Sequence, residues 1–226
     1  MEVLYIFVGW LLGLISPQLT ERIQRSRKRK AILKAITGET RDLRVRLAWI
    51  VLFMKASLLQ KVLPTEGPRG VAEVNSVLTW MDPIIRSFPA PEDEMFNAGL
   101  PVWSDLYSRD ESERAKLVFE RVHPAGVSGF KRQSLPFVTN IMGDLSLFPV
   151  PVQRHITNIV SKLDLLNQDV DEIISLEHIA ITENSENRNE FLNQQFERGI
   201  THHLQSAHQL AQAITAFLDS LDGPEA

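Results

Sequence analysis

Six histidines, a glycine-flanked serine and two runs of acids are the places where this sequence could do chemistry. His202, His203 and His208 lie close together near the C-terminus. Imidazoles four residues apart on one helix face can hold zinc. At about 100° per residue, His203 and His208 differ by roughly 140° and His202 and His208 by roughly 240°, so neither pair shares a face. No His-Glu-x-x-His occurs, and the one Glu-x-x-His, Glu120 to His123, has no second copy to face it from another helix, so no metal ligand is assigned. His123, His155 and His178 are expected at surface or capping positions. Gly126-Val127-Ser128-Gly129-Phe130 departs from a nucleophile elbow, because Phe130 stands where a glycine is needed and no strand precedes it. It reads as a glycine-rich turn. The acids Glu92/Asp93/Glu94 and Asp169/Asp171/Glu172 lack a partner base or metal and read as solvated faces. No glycine run leads into Lys-Ser or Lys-Thr, so there is no phosphate loop. The chain has no cysteine, which excludes disulfides, thiolate metal sites and a cysteine nucleophile. Catalytic, cofactor-binding and metal-ligating residues are therefore all assigned as none, and the chain is not expected to be an enzyme. A hydrolase or metalloenzyme whose site is assembled across helices is kept as an alternative.

Binding chemistry is easier to place. Residues 20–46 carry ten basic side chains against three acidic ones, a local charge of +7. Residues 47–226 carry 14 basic and 24 acidic side chains, a charge of −10. Arg22, Arg25, Arg27, Lys28, Arg29, Lys30 and Lys34 form a collar directly behind an uncharged run, Val3–Thr20. Eighteen helical residues span roughly 27 Å, enough for a bilayer core. The run is expected to be a transmembrane helix, with a buried N-terminal core helix as the alternative. A signal peptide has its positive charge before the apolar stretch, whereas here Glu2 precedes it and the cations follow. That polarity places the N-terminus outside and the body in the cytoplasm. The collar would then lie on anionic headgroups, each basic residue contributing about 1 kcal/mol. A solvated helix face and a nucleic-acid patch are the other readings. No aromatic residue falls between Leu19 and Ala48 to stack on bases, so no nucleic-acid partner is assigned.

The elements that must carry these groups are helical. Ile32, Leu33, Ile36, Leu43, Val45, Leu47 and Ile50 recur near helical spacing, with Gly38 an internal weak point. Leu47–Met54 is an apolar run too short for a second span and is read as a helix buried in the body, with a re-entrant segment as alternative. Pro64, Gly67, Pro68 and Gly70 end that helix near Leu63. A shorter helix fits Val71–Met81, stopped or kinked by Pro83. Residues 87–101 and 123–136 read as loops, Trp103–Val122 as a helix and Phe137–Leu147 as a short helix or turn. Trp10 falls in the span, and Trp49, Trp80 and Trp103 are expected to pack in the body. Two heptad seams close the chain: Val152, Ile156, Ile159, Leu163, Leu166, Val170, Ile173, and Leu204, Ala207, Ala211, Ile214, Leu218, Leu221. The polar stretch 182–187 separates them, with Asn187 and Glu190 resembling a capping box. Long helices joined so tightly must fold antiparallel for their seams to meet.

Phe137, Asn140, Gly143, Leu145 and Leu147, followed by Pro149 and a long helix, together with the N-terminal span and its collar, carry a resemblance. The chain resembles a group of small bacterial proteins with one N-terminal span, an Arg/Lys collar and a cytoplasmic helical domain. The resemblance implies bacterial origin and membrane attachment, and no activity or site residue.

The expected fold is all-α: a transmembrane helix (1–20), a basic collar and amphipathic helix (21–63), short helices and loops (64–148) and an antiparallel helical hairpin (149–226). The expected function is a membrane-anchored, non-enzymatic interaction or scaffold protein at the bacterial inner membrane, facing the cytoplasm. Its partners would be the lipid bilayer with its anionic headgroups and a protein or second copy of itself, with no cofactor. A membrane-disrupting effector of a toxin or phage-defence system is the other alternative, motivated by the spacing of Gly9 and Gly13.

Overall fold

The computed structural model describes residues 2–62, 67–87, 99–121, 131–182 and 186–221. Side chains are left undescribed at 2–18, 61–62, 99–102, 121, 177, 180–182, 186–193 and 196. Among the described residues every regular element is a helix, so the fold is all-α.

One helix dominates. Helix α1 runs unbroken from Glu2 to Val62, passing through Pro17, the collar and Gly38. At about 1.5 Å per residue it is roughly 90 Å long. Its lower half is buried on two faces. Ile36, Leu43, Leu47 and Val51 enter one core, and Val45, Ala48, Leu52 and Ala56 enter another. At 100° per residue the two sets lie on nearly opposite sides of the helix. This is why Leu47–Met54 is almost continuously apolar: it is walled by protein on both sides, which settles its reading as a helix buried in the body. Phe53 is the exception, exposed and stacked on Trp49.

The first core is closed by the hairpin. Helices α6 (Val150–Thr182) and α7 (Glu186–Leu221) pack along their length. Asp169 meets His202, Lys162 meets Gln209, and the bare Cα of Gly199 lies against Ile173. Those pairs run in opposite directions, so the helices are antiparallel. The buried residues of α6 from Ile156 to Ile173 follow its expected seam. On α7 the buried stripe is wider than expected: Leu210 and Phe217 are also buried, because α7 covers α1 as well as α6. Glu186 already lies inside α7, so Asn187 is within the helix rather than capping it; its side chain and that of Glu190 lie outside the described residues.

The second core is built by α2 (Pro68–Arg86), α3 (Gly99–Ser108) and α4 (Glu111–Arg121). Helix α2 does not stop at Pro83 but continues one turn. Pro83 lacks an N–H, yet its carbonyl still accepts from Ser87 at 3.1 Å. The helix expected over Trp103–Val122 is two helices, split where the Asp110 carboxylate accepts the Glu113 N–H at 2.9 Å and starts α4. Asn75 joins α2 to α4 by donating to the carbonyls of Val71 and Glu111 at 2.9 and 2.8 Å.

Between hairpin and α1 sits α5 (Pro136–Asn140), followed by a 3₁₀ segment, Met142–Leu147. Glu39 of α1 accepts the backbone N–H groups of Phe137 and Val138, both at 3.0 Å. One carboxylate from a remote helix thus satisfies two free donors at the start of α5.

The expected single-pass placement does not hold. Among the described residues no helix is long and apolar enough to cross a membrane. The uncharged run does not form a separate element; it continues without a break into a helix whose every 18-residue stretch from Leu19 to Val62 holds at least three charged residues. The side chains of the run up to Gln18 lie outside the described residues. The inner-membrane topology, N-terminus outside and body in the cytoplasm, is overturned with it.

Candidate functional site

The collar is the upper part of α1, and its side chains from Leu19 to Lys28 are all exposed. The helix has no buried face in this stretch. Two cations are already engaged. Arg25 pairs with Glu21 one turn earlier, and Lys28 reaches Asp144 of the 3₁₀ segment at 2.9 Å. Arg22, Arg27, Arg29, Lys30 and Lys34 make no ion pair among the described residues. The sequence grouped all seven as one contact surface; the structure divides them into five open cations and two held against α1 or the body.

Their arrangement is directional. Leu19, Ile23, Arg27, Lys30, Lys34 and Arg41 fall within about 80° of one another around α1. Leu19 and Ile23 are 57% and 46% exposed, large values for apolar side chains on a charged helix. The stripe is therefore apolar at its upper end and cationic below.

The stripe runs into a cleft. Lys30, Leu33, Lys34, Thr37, Gly38 and Arg41 of α1 face Leu218 and Leu221 of α7 across a cavity of about 450 Å³. Thr37 spends its hydroxyl on the Leu33 carbonyl at 2.8 Å. Arg41 and Gly38 belong to no sequence-derived site. What could have flagged Arg41 was its spacing from Lys30 and Lys34; Leu218 and Leu221 were unreachable, because nothing local tells which end of α7 meets which part of α1.

One turn further down, Arg44 is buried. Its Nη2 donates to Ser87 Oγ at 2.7 Å and its Nη1 to Thr215 Oγ1 at 3.4 Å, while Nε has no partner. Burial pulls its pKa below the ordinary value, and the charge of Asp219 opposes that shift. The guanidinium ties α1, α2 and α7 together through hydroxyls rather than a carboxylate.

The histidines go to three environments. His202 is largely exposed, and its Nδ1 lies 2.7 Å from Asp169 Oδ1. His203 is buried in the hairpin; burial lowers its pKa, while Asp169 and a hydrogen bond with the Leu166 backbone act the other way. His208 packs on Trp80 with ring centroids 4.6 Å apart, and burial lowers its pKa too. Among the described residues no three His, Asp or Glu side chains are grouped to hold a metal ion. Asp169 is thus a buried partner of His202 rather than part of a solvated acidic face, and Asp171 pairs with Arg132, Oδ1 taking Nε–H at 2.8 Å. A groove on α7 beside His202 is lined by Gln194, Glu197, Arg198, Thr201 and Gln205, all from one helix, so the described residues give it no second wall. Gly126–Phe130, Glu92–Glu94 and His123 lie outside the described residues.

No family model, no curated protein and no solved structure matches this chain, so the likeness to small bacterial proteins gains no support from them.

Proposed function

We propose that this chain is a non-enzymatic helical interaction protein that docks on anionic lipid headgroups through the exposed stripe of α1. The observation that carries the reading is the exposed helical stretch with open cations on the same face as two exposed apolar residues. Headgroup phosphates take the cations, and Leu19 and Ile23 reach the acyl boundary, as amphipathic helices lying on a bilayer do. Docking of this kind is peripheral and needs no helix that crosses the bilayer. The acidic body, charged −10 from residue 47 onward, is repelled by the same surface and left facing away from it.

Flotation with vesicles tests the reading. The protein should float with vesicles rich in phosphatidylserine and not with phosphatidylcholine alone. Binding should weaken steeply as salt shortens the Debye length. Equal binding to both compositions, or to neither, contradicts it. Tighter binding to duplex DNA than to anionic vesicles would transfer the stripe to a nucleic-acid partner.

A further inference from the structure

The geometry points to the cleft between α1 and the last turn of α7 as a binding site for one single-chain anionic amphiphile. Its tail lies on Leu33, Leu218 and Leu221, and its acidic head meets Lys30, Lys34 and Arg41. The volume, about 450 Å³, falls in the range of small-molecule sites.

Four observations carry this. Among the described residues the lining holds three cations and no acid. Asp219, the acid of the last described turn of α7, does not line the cleft. Lys30, Lys34 and Arg41 are not consumed as caps either: α7 ends without basic residues of its own, yet none of the three donates to its free carbonyls among the described residues. The floor is the edge of the first core, since Leu33 and Leu221 pack against it and Leu218 belongs to it. Finally, a Cβ at Gly38 would meet no atom within 4 Å, so the cleft is open where the helix wall is lowest. An inorganic anion would leave the leucine floor wet, and a neutral hydrocarbon would leave the cations without a counter-charge. A carboxylate or phosphate on an alkyl chain satisfies both.

The inference shares its lipid chemistry with the docking proposal, but it concerns a monomeric ligand in the body and is tested without vesicles, so the two fail separately. Dodecanoate below its micellar concentration is titrated into the full chain and followed by calorimetry and native mass spectrometry. Parallel arms use inorganic phosphate and dodecyltrimethylammonium. One dodecanoate should bind per chain, at least tenfold more tightly than either comparison ligand. Lys34→Glu combined with Arg41→Glu should weaken it at least tenfold. Gly38→Leu should do the same by filling the cleft, while its melting curve reports that the fold is kept. Lys116→Glu, an exposed change on α4, should leave binding as it was. Absence of dodecanoate binding overturns the inference. So do equal binding of the cationic amphiphile, equal binding of inorganic phosphate, a complex of two chains around the ligand, or indifference to both cleft variants.

Discussion

Arg44 brings a positive charge into the seam between three helices with two hydroxyls and, among the described residues, no carboxylate in contact. A buried charge that keeps only part of its hydrogen bonds is sensitive to losing another. Ser87→Ala should therefore cost about 1–3 kcal/mol in urea denaturation. Arg44→Met removes the charge together with its needs and should cost less than Ser87→Ala, because a well-packed apolar replacement of a buried ionic group is often neutral or better. His203 is the other buried ionisable group of consequence. In the unfolded chain its imidazole takes up a proton near pH 6.5, and in the fold burial holds it neutral to lower pH. Between those two values the unfolded chain binds the extra proton, so stability is full above about pH 6.5 and declines as pH falls below it. His208 acts in the same direction. Melting temperatures measured from pH 7.5 to 5 should show the decline, and His203→Leu should flatten it. In the second core the Tyr107 hydroxyl donates to the Leu78 carbonyl, and burial, followed by the charge of Asp82, pushes its pKa up to about 12, so it stays a neutral donor across that range.

Elements were legible in the sequence wherever one period of apolar residues answered to one neighbour. The seam of α6 is the clearest case, because α6 faces α7 along most of its length. On α7 half the buried stripe lies outside the expected seam, since the helix packs on both α6 and α1 and buries a wider arc, Leu210 and Phe217 included. The stop or kink expected at Pro83 does not end the helix: proline costs one N–H, and the turn that follows supplies its own bonds. Asp110 was underread, since a helix start inside a charged stretch leaves no gap in the apolar pattern. Long-range contacts were not legible. Nothing near Glu39 in the sequence indicates that it caps α5, almost a hundred residues away. Glu39→Ala leaves two N–H groups without that carboxylate and should cost about 1–2 kcal/mol. Gly38→Ala should raise stability by up to about 1 kcal/mol, since a methyl group there meets no neighbour and glycine is a poor helix former. Thermal unfolding of the two variants checks both.

At the scale of the molecule, charge and packing divide the work along a single helix. The lower half of α1 is the shared wall of two cores, and its upper half is an exposed arm. The charge division was visible in composition. The burial of Leu47–Met54 is legible too, since the run is too short to span and reads as a helix buried in the body; that it faces two cores is not, because a local apolar pattern does not say how many neighbours it meets. The sequence concentrates its positive charge in the collar. The structure sharpened that into one stripe of open cations leading to the cleft beside Gly38, and it moved Arg25 and Lys28 into ion pairs. The central claim is that this stripe does the binding. It is tested most directly by sedimenting phosphatidylserine-rich vesicles with the wild type and with the Arg27→Glu/Lys30→Glu/Lys34→Glu chain at low salt. At about 1 kcal/mol per basic residue, the triple variant should lose at least a hundredfold in affinity and keep its melting temperature. A variant that folds and still binds as tightly as the wild type would contradict the account.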